Sequence, residues 1–179
     1  MIRAGFKKLS GNAALAVGLS FIEGWGVYAC EVLPGGSVLL EYRGKRVLLG
    51  ESGGVPEAIN PRTLAYLEPG VGVDGDHPEN EARWVNHSCE PNAQLQESEG
   101  RLWVIAGREI RAGEEVVLNY GYTVEEALQY PCRCGAARCP GYPVGEPWRG
   151  ALLQFRARQA RVRRMNQTAG EKSCRKRLG

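Results

Sequence analysis

Histidine is nearly absent from this chain: 179 residues contain only His77 and His87, with two methionines and three phenylalanines. No Ser-His-Asp order and no paired-carboxylate spacing stands out, which removes the triad hydrolases and the two-carboxylate glycosidases from consideration. No run reaches the eighteen or so apolar residues that a membrane span requires. The longest apolar-rich stretch, "AALAVGLSFI" (residues 13–22) behind Lys7 and Lys8, has the length and flank of a secretory leader's core. Cleavage there would strip a strand from the domain and run into the glycine motif that follows, so the stretch is read as a strand. Internal repeats and low-complexity tracts are also missing.

The net charge of +3 conceals a division. Residues 149–179 carry ten of the 23 Lys and Arg and only one acid, Glu171, for a net +9, which leaves −6 on residues 1–148. An acidic body suits a cationic substrate, although such an excess is ordinarily just a solvated surface. A basic tail suits nucleic acid, an anionic surface or the body itself, and a plain solvated helix is the ordinary alternative.

Short apolar runs with Gly-rich turns predict a mostly β domain. Residues 13–22 and "GVYACEVL" read as strands around "EGWG"; "PGGSVLLEYRG" is a turn and a strand, with "KRVLLG" pairing with it as the next strand. From Glu51 to Asn80 the composition shifts to Gly, Pro, Asn and acids, with one short strand or helix at "RTLAYLE". "RLWVIAGREI" and "EEVVLNYGY" are further strands. "LLQFRARQARVRRM" places Leu152, Phe155, Val162 and Met165 on one face of a basic helix, and the last dozen residues read as flexible.

Six cysteines include a C-x-C-x4-C run at Cys132, Cys134 and Cys139. Two thiolates one residue apart suit a common metal better than separate bridges, and a closed tetrahedral zinc site wants a fourth ligand from elsewhere. Cys89, in the polar irregular run "RWVNHSCEPN", is the natural candidate; Cys30 follows an apolar strand and Cys174 lies in the loose tail. Three unrelated buried thiols are the bland alternative. This usage also implies a reducing, intracellular compartment, cytoplasmic or nuclear. Gly24 and Gly26 around Trp25 read as a turn or as a close backbone approach to a ligand. Tyr120 and Tyr122 share a face and, taken alone, read as stacked core tyrosines; Tyr42 is similarly ambiguous. His87 is a base, a ligand or a hydrogen-bonded structural histidine.

Taken in order, "EGWGVYA", "LLEYRG", "RWVNHSCEPN", "GEEVVLNYGY" and "CRCGAARCPG" resemble the motifs of the SET-domain protein lysine methyltransferases, over about residues 13–142. The resemblance implies a mostly β SET-domain fold of small curved sheets, with a C-terminal pseudoknot, a zinc-stapled post-SET segment and a basic C-terminal helix. Its boundaries would be 13–123 for the SET domain (variable insert about 46–80), 124–148 for the post-SET segment, and 149–179 for the basic helix and flexible tail. It implies S-adenosylmethionine and one structural zinc as cofactors. Gly24, Trp25, Gly26, Arg83, Asn86, His87 and Tyr120 would serve cofactor binding. Tyr120, with Tyr42 and Tyr122 lining the lysine channel, would serve catalysis. Cys89, Cys132, Cys134 and Cys139 would hold the metal. The implied activity is methyl transfer to lysine in a basic protein such as a histone. The alternative is a catalytically silent module that binds nucleic acid or a protein partner through residues 149–179. Leu118 stands where many relatives carry Phe or Tyr, which leaves the methylation degree open. Asn119 and Trp84 replace the usual Asp and Phe, and no cysteine-rich segment precedes the glycine motif.

Overall fold

The computed structural model describes residues 5–50 and 55–177, with side chains through Arg164. Among these residues the strands, in chain order, are β1 (Lys7–Lys8), β2 (Leu15–Leu19), β3 (Trp25–Ala29), β4 (Val38–Tyr42), β5 (Lys45–Leu48), β6 (Leu64–Glu68), β7 (Val71–Asp74), β8 (Asn86–His87), β9 (Ala93–Ser98), β10 (Arg101–Ala106) and β11 (Glu115–Leu118). They form three small sheets with orders β1-β2-β3-β11-β8, β4-β10-β9 and β5-β7-β6. The mostly β reading holds, and the sheets are short because Gly and Pro interrupt every apolar run.

The main core lies between the first two sheets. Leu15, Val27, Val104, Ile110 and Val116 are each fully buried there, and removing such a side chain to Ala costs about 2–5 kcal/mol. β2 and β3 form a hairpin in which Ser20 N–H donates to the Gly24 carbonyl at 2.9 Å. Gly24 has φ +49°, a conformation that side chains resist. β8 lies parallel to β11, with Asn86 opposite Val117 and His87 opposite Leu118. Parallel pairing needs a long connection, and here residues 88–114 supply it. The segment expected to form the knot is thereby held against the last strand.

Two expectations change. "KRVLLG" does not pair with β4: β5 joins β7 instead, in a third sheet that fills the stretch read as a variable insert. Ala65, Leu67 and Val73 of that sheet bury themselves against Leu102 of β10, so the insert has an apolar core of its own, and β4 is already paired with β10. The basic helix, α2 (Arg149–Arg177), also continues through most of the segment read as flexible; its Ala, Glu, Lys and Arg are good helix formers and no proline stops it.

α2 is packed into the body at its start. Leu152 is fully buried with Ala127 and Val144, whereas Phe155 and Val162 are 36% and 54% exposed. The predicted apolar stripe is therefore not a packed face beyond its first turn, and Met165 and Cys174 fall outside the described side chains. Ala127 closes the short helix α1 (Val124–Ala127), which Thr123 and Glu126 start with a reciprocal capping box.

Candidate functional site

A cavity of about 290 Å³ opens between the turn joining β2 to β3, strand β8, the residues just beyond β11, and segment 130–133. Glu23, Arg62, Asn86, His87, Tyr120, Tyr122 and Tyr130 are on its wall. The aromatic rings form a row: His87 to Tyr120 at 5.3 Å between centroids, Tyr120 to Tyr122 at 5.6 Å, and Tyr122 to Tyr130 at 5.9 Å.

Asn86 holds the wall together. Its amide nitrogen donates to the carbonyls of Glu23 and Trp25 at 3.1 and 2.9 Å and to Glu115 Oε1 at 2.9 Å. Glu115 also accepts from Ser20 Oγ and the Tyr28 hydroxyl. A Cβ on Gly26 would lie 2.3 Å from Glu115 Oε1. The missing Cβ thus admits a carboxylate of the protein itself, where the sequence suggested an approach to a ligand. On the same strand His87 accepts at Nδ1 from the Tyr120 N–H, 3.1 Å away, which puts its ring proton on Nε2, 3.3 Å from Cys89 Sγ. Burial, reinforced by the positive charge of Arg149, lowers the His87 pKa to about 4, so the ring is neutral near pH 7. That makes it an anchor; as the sequence allowed, hydrogen bonding explains it without base chemistry.

The Tyr120 hydroxyl donates to the Val85 carbonyl at 3.0 Å. Burial raises the pKa values of Tyr42, Tyr120 and Tyr122, so all three phenols keep their protons at neutral pH, and Tyr120 and Tyr122 are polar walls of the cavity.

Directly behind His87 the sulfurs of Cys89, Cys132, Cys134 and Cys139 lie within 4.8 Å of one another. Cys89 Sγ is 3.8 Å from Cys132 Sγ and 3.6 Å from Cys139 Sγ. Zinc–thiolate bonds of about 2.3 Å in a tetrahedron set sulfurs about 3.8 Å apart, so the donor set fits zinc. Burial pushes Cys89 up, and it pushes Cys132 up to about 12. Burial also acts on Cys134, but hydrogen bonds from the backbone N–H groups of Cys89 and Ala136 and from the Cys132 and Cys139 thiols together bring that thiol down to about 7. Arg149, at the start of α2, donates to the Cys89 carbonyl. The cluster therefore joins residue 89, the 132–139 arm and the basic helix.

Asn86, His87, Tyr120 and Tyr122 all line the cavity, and the four cysteines assemble beside it. Gly24, Trp25 and Gly26 lie next to the wall, in contact through the Trp25 carbonyl. Tyr42 is turned toward the third sheet, where its hydroxyl donates to the Thr63 carbonyl at 2.7 Å. Arg83 is directed elsewhere: it donates to the His77 carbonyl at 3.0 Å and stacks 4.5 Å over the Trp84 ring. Glu23, Arg62, Tyr130 and Glu115 were missed. Glu23 and Glu115 lie inside the quoted motifs and Tyr130 borders one; Arg62 sits in the insert, and nothing local marks it.

The SET domain family model matches residues 24–121. The curated H3 lysine-4-specific histone-lysine N-methyltransferases of Schizosaccharomyces pombe and Cryptococcus neoformans are 35% and 31% identical, over 72% and 69% of this chain. Histone-lysine N-methyltransferase ash1 of Drosophila melanogaster is 31% identical over 71%. The chain spans only 15%, 9% and 6% of those three relatives. Among solved structures, that of KRYPTONITE in complex with mCHH DNA, an H3(1-15) peptide and SAH is similar with a TM-score of 0.60 and 27% identity, covering 76% of this chain and 30% of that one. The motifs, the sheet arrangement and the family match agree on the class: this chain belongs to the SET-domain family of protein lysine methyltransferases.

Proposed function

We propose that this protein transfers a methyl group from S-adenosylmethionine to the side-chain amine of lysine in a histone or another basic protein. The observation that carries the reading is the convergence of Asn86, His87, Tyr120 and Tyr122 on one cavity, backed by a four-cysteine cluster. The KRYPTONITE complex, holding an H3 peptide and SAH, supports the same substrate and cofactor classes.

In this reading residues 24–26, Asn86 and His87 hold the cofactor, while Arg83 braces the segment leading to Asn86. S-adenosylmethionine, when bound, supplies an electrophilic methyl group on a sulfonium. The chain must then present a neutral lysine, although a free lysine has a pKa of about 10.4. A channel walled by neutral tyrosines disfavours the ammonium form. The Tyr120 and Tyr122 hydroxyls orient the amine, and orientation of this kind contributes several kcal/mol. Tyr42, whose hydroxyl is tied to the Thr63 carbonyl, stands outside this cavity wall. Cys89, Cys132, Cys134 and Cys139 hold one zinc whose role is structural, since four protein ligands leave it no open position.

The unpaired cysteines and a cysteine-held zinc suit a reducing nuclear or cytoplasmic compartment. Among the described residues no helix is long and apolar enough to cross a membrane. The arginines of α2 provide a contact for nucleic-acid phosphates.

The test is incubation with radiolabelled S-adenosylmethionine and a panel of histones and ribosomal proteins, beside a Tyr120→Phe control. Label on lysine that the control loses supports the enzyme. Cofactor binding without any transfer supports the silent module, and failure to bind the cofactor overturns the reading.

A further inference from the structure

Arg62 and Glu23 come from distant parts of the chain and meet at the cavity. Arg62 belongs to the 3-10 turn Pro61–Thr63 before β6, and Glu23 to the turn between β2 and β3. Arg62 Nη2 donates to Glu23 Oε1 at 2.5 Å. The same guanidinium lies 5.4 Å from the centre of the Tyr130 ring, which continues the row through Tyr122 to Tyr120. A positive charge thus stands at the end of three aromatic rings with a carboxylate beside it.

Aromatic faces and a carboxylate are what any cationic ligand of this cavity would seek. On the methyltransferase reading, on which this inference rests, the cofactor carries such a charge at its sulfonium. We propose that Arg62 is a resident cation of the cofactor site, displaced by the positive end of the cofactor, which then takes Glu23 as its counter-charge.

Displacement is mechanically easy. The side chains of Arg62 and Glu23 are 44% and 62% exposed, and an ion pair so open to water is cheap to break. The backbone below does not need to move: Asn60 caps the turn, its Oδ1 accepting from Arg62 N–H at 3.0 Å. The long side chain can swing while its Cα stays fixed. Arg62 thereby acts on ligand choice, since a cation held near the site opposes a sulfonium more than it opposes a neutral thioether.

Titration calorimetry with S-adenosylmethionine and with S-adenosylhomocysteine, which lacks the sulfonium charge, tests this directly. Arg62→Gln is expected to tighten S-adenosylmethionine about three- to ten-fold, as removal of a charge several ångströms away in a wet site predicts, while S-adenosylhomocysteine changes less than about two-fold. Glu23→Gln is expected to shift the same ratio the opposite way. Weaker S-adenosylmethionine binding by Arg62→Gln would mean that the guanidinium holds the ligand, and equal tightening of both ligands would mean a steric plug; either overturns the proposal. Wild-type protein that binds neither ligand overturns the methyltransferase reading itself, so the two failures are distinguishable.

Discussion

Tyr120 is held at two points, its backbone N–H by His87 and its hydroxyl by the Val85 carbonyl, so loss of the hydroxyl leaves the ring in place. Tyr120→Phe is therefore expected to keep cofactor affinity within a few-fold while lowering turnover about 10²- to 10³-fold, the usual effect of losing one preorganised polar group; calorimetry and single-turnover assays separate the two. Glu114 offers a pH test remote from the cavity. Hydrogen bonding to Arg108 holds its pKa down to about 2 against a burial penalty, with help from Asn92 and Arg111. Because the folded pKa is depressed, this stabilisation is fully present above the unfolded value of about 4.3 and is lost as pH falls toward 2. Glu114→Gln should lower the melting temperature at pH 7 and have little effect near pH 2. Residues such as Asn86 and Cys89 were legible because their neighbours in sequence form a dense signature. The roles of Glu115, although it lies inside a signature, and of Arg62 were not, since each is acquired from a partner 29 and 39 residues away.

Elements divide in the same way. The cysteine arm was readable because C-x-C-x4-C is a local spacing, and Cys89 could be added by elimination. One zinc per chain is expected by metal analysis; Cys89→Ser should lose it and Cys30→Ser should retain it, since Cys30 is outside the sulfur cluster. Chelation should lower the melting temperature and speed amide exchange through residues 130–141. The Thr123 capping box starts α1, and Thr123→Ala should cost about 1 kcal/mol, read as a lower thermal midpoint with the fold unchanged. Strand existence in the insert was harder to read, and strand pairing was misread at β5. A run that follows a two-residue Arg-Gly break looks like a hairpin arm, but the partner was decided by burial of Ala65, Leu67 and Val73 against Leu102.

Across the whole molecule, charge is divided between an acidic body and a helix of opposite sign whose start is packed into that body. Leu152 and Arg149 belong to the body's packing, and Arg156 still donates to the Pro140 carbonyl. A clean truncation therefore ends after Ala157, which removes eight of the ten basic residues of the tail. If α2 contacts nucleic-acid phosphates as proposed, this truncation should leave the melting temperature and methyl transfer to a short peptide nearly unchanged while abolishing binding to a DNA duplex. The intact chain's affinity should fall steeply between 50 and 200 mM salt, as fluorescence anisotropy would report. The order β1-β2-β3-β11-β8 has a further consequence for synthesis. The strand that fills the gap between β3 and β8 is the last of the five to leave the ribosome, so a nascent chain ending before Glu115 exposes an unpaired edge on β3 and leaves β8 without a neighbour. Folding of the first sheet cannot be completed co-translationally until residues 115–118 are available. Its long-range pairings make it intrinsically slow to form, and a premature stop anywhere upstream of β11 yields an aggregation-prone fragment in place of a smaller working domain.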